Sequence, residues 1–320
     1  GCTIHTGGGA VMMEDLAFIG QIAVKSSIAV LLATLGEIVA ERSGVLNLGV
    51  EGMMLVGALC GVAAGVATGN PVLAAAAGAL AGGLLALVHG FFAITLRVNQ
   101  VLSGLALTIL GMGMTSFVGR PLIGTPPGVR LRALPIPVLA DIPVIGDILF
   151  RQSALAYLAY ILVPLCWFVL FRTGTGLKIR AAGEDAAAVD AAGIDVNRIR
   201  YGCTFVGGLG AGLAGAYLSL SHTPGWKESM TGGQGWVAIA MVIFATWNPL
   251  RAVIGAFLFG GLTALQFYFQ AVGIELIPAY ILKMLPYVLT IVVMIVVNAG
   301  MGRRRFSGPA ALGIPFSREG

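Results

Sequence analysis

Apolar runs of about twenty residues recur along almost the whole chain, each as long as a helix that crosses roughly 30 Å of hydrocarbon. They lie at about 16–40, 45–68, 71–96, 99–119, 153–171, 200–221, 233–247, 249–272 and 277–298. A single soluble core cannot bury so many such runs. Hydrophobic residues make up 58% of the 320 residues and charged residues 10%, against about 25% charged in soluble domains. The short alternating segments of a transmembrane barrel are not visible. The chain reads as an all-α polytopic membrane protein with about nine transmembrane helices.

A net charge of +5 would fit nucleic acid only if the basic residues formed a patch. They sit instead at the ends of the runs, where they set topology. Arg42, Arg97, Arg172, Lys178, Arg180, Arg198, Arg200, Arg251, Arg303, Arg304, Arg305 and Arg318 fall on one side, and Arg120, Arg130, Arg132, Arg151 and Lys227 on the other. The richer side is cytoplasmic, which puts the amino terminus outside and the carboxy terminus inside. Residues 1–12 are expected to be a start-site remnant, and 301–320 a cytoplasmic tail.

Two segments break the apolar pattern. Gly44-Val45-Leu46-Asn47-Leu48-Gly49-Val50-Glu51-Gly52 carries an acid, an amide and glycines inside a membrane-length run. Pro224–Gly235 is equally Gly-rich and too polar for a lipid-facing helix. Such combinations occur where the backbone opens around a cavity or path. A shift of 178 residues lays 70–87 over 248–265, with nine of eighteen positions identical, beginning with Asn70-Pro71 over Asn248-Pro249. The same shift superposes the two Gly-rich segments. An odd number of spans separates the halves, so the repeats are expected to be inverted, as in transporters with broken helices near the midplane. The permease domain would cover 13–300, with repeat A at about 16–119, a connector helix at 153–171 and repeat B at about 200–298.

Glycines spaced by four (Gly57, Gly61 and Gly65; Gly78 and Gly82; Gly208 and Gly212) are expected to let helices approach closely. No phosphate-binding loop of the Gly-x-x-x-x-Gly-Lys-Ser/Thr type occurs, so the chain has no such ATP site. His5, His89 and His222 lack ligand spacing, and Cys60, Cys166 and Cys203 lie inside apolar runs. Neither a metal site nor a catalytic constellation is expected, and no cofactor bound by this chain. Glu37, a turn inside the end of the first span, is expected to pair within the bundle. The polar loop 172–199 holds Arg180, Gly183, Glu184 and Asp185, an Ala-rich helical run to Ala192, and Gly193. Glu184 and Asp185 suit a helix's first turn and Gly193 its end. The run is either an ordinary surface helix or one that docks on a partner.

From Gly36-Glu37 through Glu41-Arg42-Ser43-Gly44-Val45-Leu46-Asn47-Leu48-Gly49-Val50-Glu51-Gly52-Met53-Met54, the chain resembles permease subunits of bacterial ABC importers for nucleosides and simple sugars. These belong to the branched-chain amino-acid and ribose permease superfamily. Gly176–Arg200, Glu228–Trp236, Ile243–Pro249 and Leu282–Thr290 carry the resemblance further, so that it spans about residues 16–300. It implies a multi-pass protein of the bacterial cell membrane, surrounded by lipid and binding no nucleic acid. It also implies a cytoplasmic P-loop ATPase, a second permease in a heterodimer, and an extracytoplasmic substrate-binding lipoprotein.

On that basis the two Gly-rich breaks would line the path, with Asn47, Glu51, Asn99, Gln100, Glu228, Thr231 and Gln234 as its polar lining. The loop bearing Arg180, Gly183, Glu184, Asp185 and Gly193 would couple to the ATPase. The alternative is an ion- or proton-coupled secondary transporter with Glu37 and Glu51 as the coupling carboxylates.

Overall fold

The computed structural model describes residues 8–126, 128–271, 281, 284–285, 288, 291–292, 295 and 308–317. The helices, in chain order, are α1 (Gly8–Arg42), α2 (Val50–Thr68), α3 (Pro71–Gly90, extended by a π-turn to Thr95), α4 (Gln100–Val118) and the short α5 (Ile145–Leu149). They continue with α6 (Ala154–Arg172), α7 (Gly174–Glu184), α8 (Ala186–Ala191), α9 (Val196–Tyr217, extended by a π-turn to His222), α10 (Gln234–Phe244) and α11 (Pro249–Ala271). Among the described residues seven helices are long and apolar enough to cross a membrane: α1 from Ala17, α2, α3, α4, α6, α9 and α11. The chain is thus an all-α, multi-pass membrane protein.

One expected span comes out differently. The run at 233–247 contains an 11-residue helix, about 16 Å long and too short to cross hydrocarbon. Gly232 and Gly233, both at positive φ, keep the helix from starting earlier. The run at 277–298 lies largely outside the described residues; the positions described within it are helical.

The Asn-Pro pairs have a local cause. Asn70 Oδ1 accepts from the amides of Val72 and Leu73, and Asn248 Oδ1 from that of Leu250. An amide cap followed by a proline that needs no partner for its missing N–H starts a helix cleanly.

The centre is α9, which packs against α1, α2 and α3. The glycines permit it: a Cβ at Gly212 would lie 2.3 Å from the carbonyl oxygen of Gly78, and one at Gly57 2.4 Å from that of Gly212. Gly82 and Gly208 meet in the same way. Backbone-to-backbone contact supplies dispersion and weak C–H···O attraction where no hydrophobic effect drives association. Gly61 and Gly65 face side chains at ordinary or slightly close distances and contribute less.

The proline-rich stretch 120–152 forms a small cap. β1 (Ala133–Pro135) pairs antiparallel with β2 (Arg151–Ser153), and α5 seats Ile148 over Gly20 of α1. The Leu131 amide donates to Leu220 O, which joins the cap to the π-turn of α9.

Candidate translocation site

Between α1 and α2 the chain unwinds over residues 43–49. Gly44 takes φ +93, a left-handed conformation that side chains disfavour, and it turns the chain back toward Glu37. Unwound backbone at this depth must be satisfied from within the protein, and three helices supply partners. The Asn47 amide donates to Glu37 Oε1 (3.2 Å) and the Leu46 amide to Gln100 Oε1 (2.8 Å). Thr108 donates to Leu48 O (2.9 Å), and Asn47 Oδ1 accepts from the Gly49 amide (2.9 Å). His89 Nε2 lies 3.1 Å from Leu46 O, and Nδ1 3.1 Å from Ser103 Oγ. A carbonyl only accepts, so Nε2 carries the ring proton. Close packing completes the cage, since a Cβ at Gly104 would stand 2.6 Å from the Leu48 nitrogen.

The second break enters at Thr223 and ends where α10 begins. It is bound to the first through Glu51. One carboxylate oxygen accepts from Thr231 Oγ1 (2.5 Å) and the Gly233 amide (2.9 Å), and the other accepts from the Gly235 amide (2.7 Å). Glu51 belongs to the first turn of α2, while its partners surround the first turn of α10. Two helix N-termini therefore converge on one anion, the arrangement their dipoles favour.

These positions revise the expected lining. Asn47, Glu51, Gln100 and Thr231 are buried, their polar atoms engaged in holding the breaks, apart from the amide nitrogen of Gln100, which has no partner among the described residues. They form a scaffold and not an open wall in this conformation. Asn99 is exposed and caps α4, accepting from the Val101 and Leu102 amides. Glu228 is exposed and Gln234 half-buried; the side-chain oxygen of Gln234 has no partner among the described residues. Glu37 pairs inside the bundle as its depth predicts. His89, Ser103 and Thr108, none of them expected in the lining, complete the cage. A separate groove of 1310 Å³ between α1, α3, α6 and α9 is lined by Leu32, Leu158, Leu162 and Val206 among others, and is too apolar for a polar solute.

At Arg42 the end of α1 meets the turn after α10 in a second cluster. Thr246 and Trp247 take positive φ of 51 and 53 in the turn after α10. The Arg42 guanidinium donates to both their carbonyls, and Trp247 Nε1 donates to Glu41 Oε2 (2.5 Å). Arg42 and Arg180 both lie over the Phe171 ring, at 5.7 and 5.2 Å. Gly183 sits against the end of α1, where a Cβ would lie 2.3 Å from Arg42 O.

The expected helix from Glu184 to Ala192 is α8, starting two residues later than expected, and a further helix, α7, precedes it. Glu184 ends α7, which starts at Gly174 under a cap from Thr173, and Asp185 starts α8 by accepting from the Ala188 amide (3.0 Å). That side-chain bond replaces a helical one and bends the chain at Asp185. Gly193, at φ +80, closes α8 as expected.

Compared with known proteins, residues 18–297 match the family described as branched-chain amino acid transport system / permease component. The chain belongs to this family, whose members are the membrane-spanning transport subunits of ABC systems and leave ATP hydrolysis to a separate partner. It is 41% identical over 316 residues to a putative glucose ABC transporter permease protein of Haloferax volcanii, covering 92% of this chain and 96% of that one. It is 34% identical over 298 residues to a guanosine ABC transporter permease protein of Bacillus subtilis, covering 89% and 92%. A nucleoside ABC transporter permease protein of Lactococcus lactis is 33% identical over 283 residues, covering 84% and 88%. No solved structure matches the chain.

Proposed function

We propose that this ABC permease subunit imports nucleosides or related simple sugars by alternating access, with the two broken segments as the moving walls of its path. The join at Glu51 carries this reading: both breaks are tied to one carboxylate, so displacing either changes the other. In the state described here Asn47, Glu51, Gln100 and Thr231 brace the breaks. Glu228 is exposed where a polar solute would meet it, Gln234 would be met once its buried side-chain oxygen is uncovered, and Asn99 lies at the start of α4. Like the purine nucleoside and sugar relatives, the cargo would carry hydroxyls that such groups can bind. Tight binding here is not required when a binding protein delivers the solute.

A permease of this family works with an ATPase and a substrate-binding partner. We assign the docking of a cytoplasmic P-loop ATPase to α7–α8, around Arg180, Gly183, Glu184, Asp185 and Gly193. The cap over 120–152 and the segment 223–232 would receive an extracytoplasmic binding lipoprotein. The outward apolar residues of α4, including Leu102, Ile109 and Phe117, would face lipid or a second permease in a heterodimer. On this reading the protein would lie in the bacterial cell membrane, with its amino terminus outside and its carboxy terminus inside. The domain division is as given above, with the 13–300 permease domain built from inverted repeats; the shift of 178 lays α1 over α9 and α3 over α11.

A pull-down of the tagged chain from mild detergent tests the reading. Recovery of a P-loop ATPase, a second permease and a lipoprotein is expected, and the lipoprotein's ligand names the cargo. A chain that purifies alone and transports alone under an ion gradient would overturn it.

A further inference from the structure

The carboxy-terminal segment 308–316 touches the first break, the turn after α10 and the α7–α8 pair at once. The Ala311 amide donates to Gly183 O (2.8 Å) and the Ala310 amide to Glu184 Oε2 (3.3 Å), which fixes the segment to the end of α7. Phe316 packs on Ala182, Ala186, Val189 and Val196, in the seam between α7, α8 and α9. Between these contacts, the Gly313 amide donates to Gly44 O (3.1 Å), the left-handed residue where the first break begins. At the other end Gly308 lies against the Trp247 ring, in the turn that follows α10. Arg200 of α9, 1% exposed, locks the arrangement. Its Nε donates to Ser43 O (3.2 Å) and its Nη1 to Ile314 O (3.0 Å), joining break and tail through one planar fork. A lysine could not span both acceptors in that geometry.

We propose that residues 308–316 form a clasp that carries movement of α7–α8 to the inner end of the first break and to the turn after α10, with Arg200 as the positioning residue that holds the clasp to the start of the break. The inference rests on the reading of α7–α8 as the ATPase-docking element. Arg42 makes a second, direct join, with its carbonyl against Gly183 and its guanidinium on Trp247 O, and the clasp runs beside it. The clasp is built from backbone hydrogen bonds and small residues, which suits a linkage that must shift as a unit.

The test uses the transporter assembled with its ATPase, comparing the full chain with one truncated after Ser307 and with Phe316→Ala and Arg200→Lys variants. Transport per ATP hydrolysed should fall about tenfold on truncation, the scale of a typical coupling free energy, with a smaller fall in the two point variants. ATPase recovery and hydrolysis should stay near the full-chain level. An unchanged ratio of transport to hydrolysis would overturn the proposal. So would loss of ATPase binding in all three variants, because the segment would then be part of the docking surface or of the fold. The docking reading is checked separately by cross-linking from a cysteine at the exposed position Ala187. Failure there, with an altered ratio in the truncated chain, would remove the α7–α8 assignment and leave the clasp.

Discussion

At the scale of single residues, Glu51 carries the most consequence. Glu51→Gln keeps the shape but sets an amide NH2 against backbone and hydroxyl donors that need an acceptor. Leaving one such donor unpaired costs about 1–3 kcal/mol. The variant should melt earlier in detergent and lose transport together, whereas a wild-type melting point with lost transport would mean that Glu51 acts on the solute. Glycines give a paired prediction. Gly212→Ala drives a methyl into the Gly78 carbonyl and should destabilise by several kcal/mol, since backbone cannot yield as a side chain can. Gly113→Ala on α4 meets nothing within 4 Å and should be neutral or stabilising by up to about 1 kcal/mol. Equal thermal stability of the two variants would refute the close packing of α9. Asn47 and Glu51 were legible as functional because polar groups in a membrane-length run need a reason. His89, Ser103 and Thr108 were not, because a lone polar residue on an apolar helix announces no partner when that partner is backbone 43 or 60 residues away.

At the scale of elements, the sequence foretold most spans and both breaks, since length and hydropathy decide them. It overextended the segment at 233–247. Apolar residues there fill a buried half-helix as readily as a crossing one, and α10 has Val237, Ala238, Met241 and Val242 buried. It also missed α7, since glycines at 174 and 176 read as loop. Thr173 caps that start, and Gly176 is there because a Cβ would lie 2.1 Å from Val169 O. Asp185→Ala removes the α8 cap, a loss of about 1 kcal/mol of local helix stability. Global melting should hardly move, while transport per ATP hydrolysed should drop. Unchanged coupling in that variant would argue against α8 as a transmitting element.

At the scale of the whole molecule, α1, α2 and α9 form a buried centre, and α3, α4, α6 and α11 turn apolar faces outward. Such a centre cannot move piecemeal: two breaks share one carboxylate, and one clasp joins the first of them to the turn after α10. That shared mechanics is what a transport subunit driven from outside itself requires, and it has no ATP site of the P-loop type in its own sequence. The family could be read from the motifs between Gly36 and Met54, whereas the cargo could not, because recognition falls largely to a separate binding protein. The most direct test of the central claim is the energy source of uptake. Cells expressing the transporter are given labelled guanosine or glucose, with the partner ATPase inactivated, or with the ion gradients collapsed while ATP is held. The account predicts that uptake of the true cargo stops in the first case and persists in the second; the reverse pattern would contradict it.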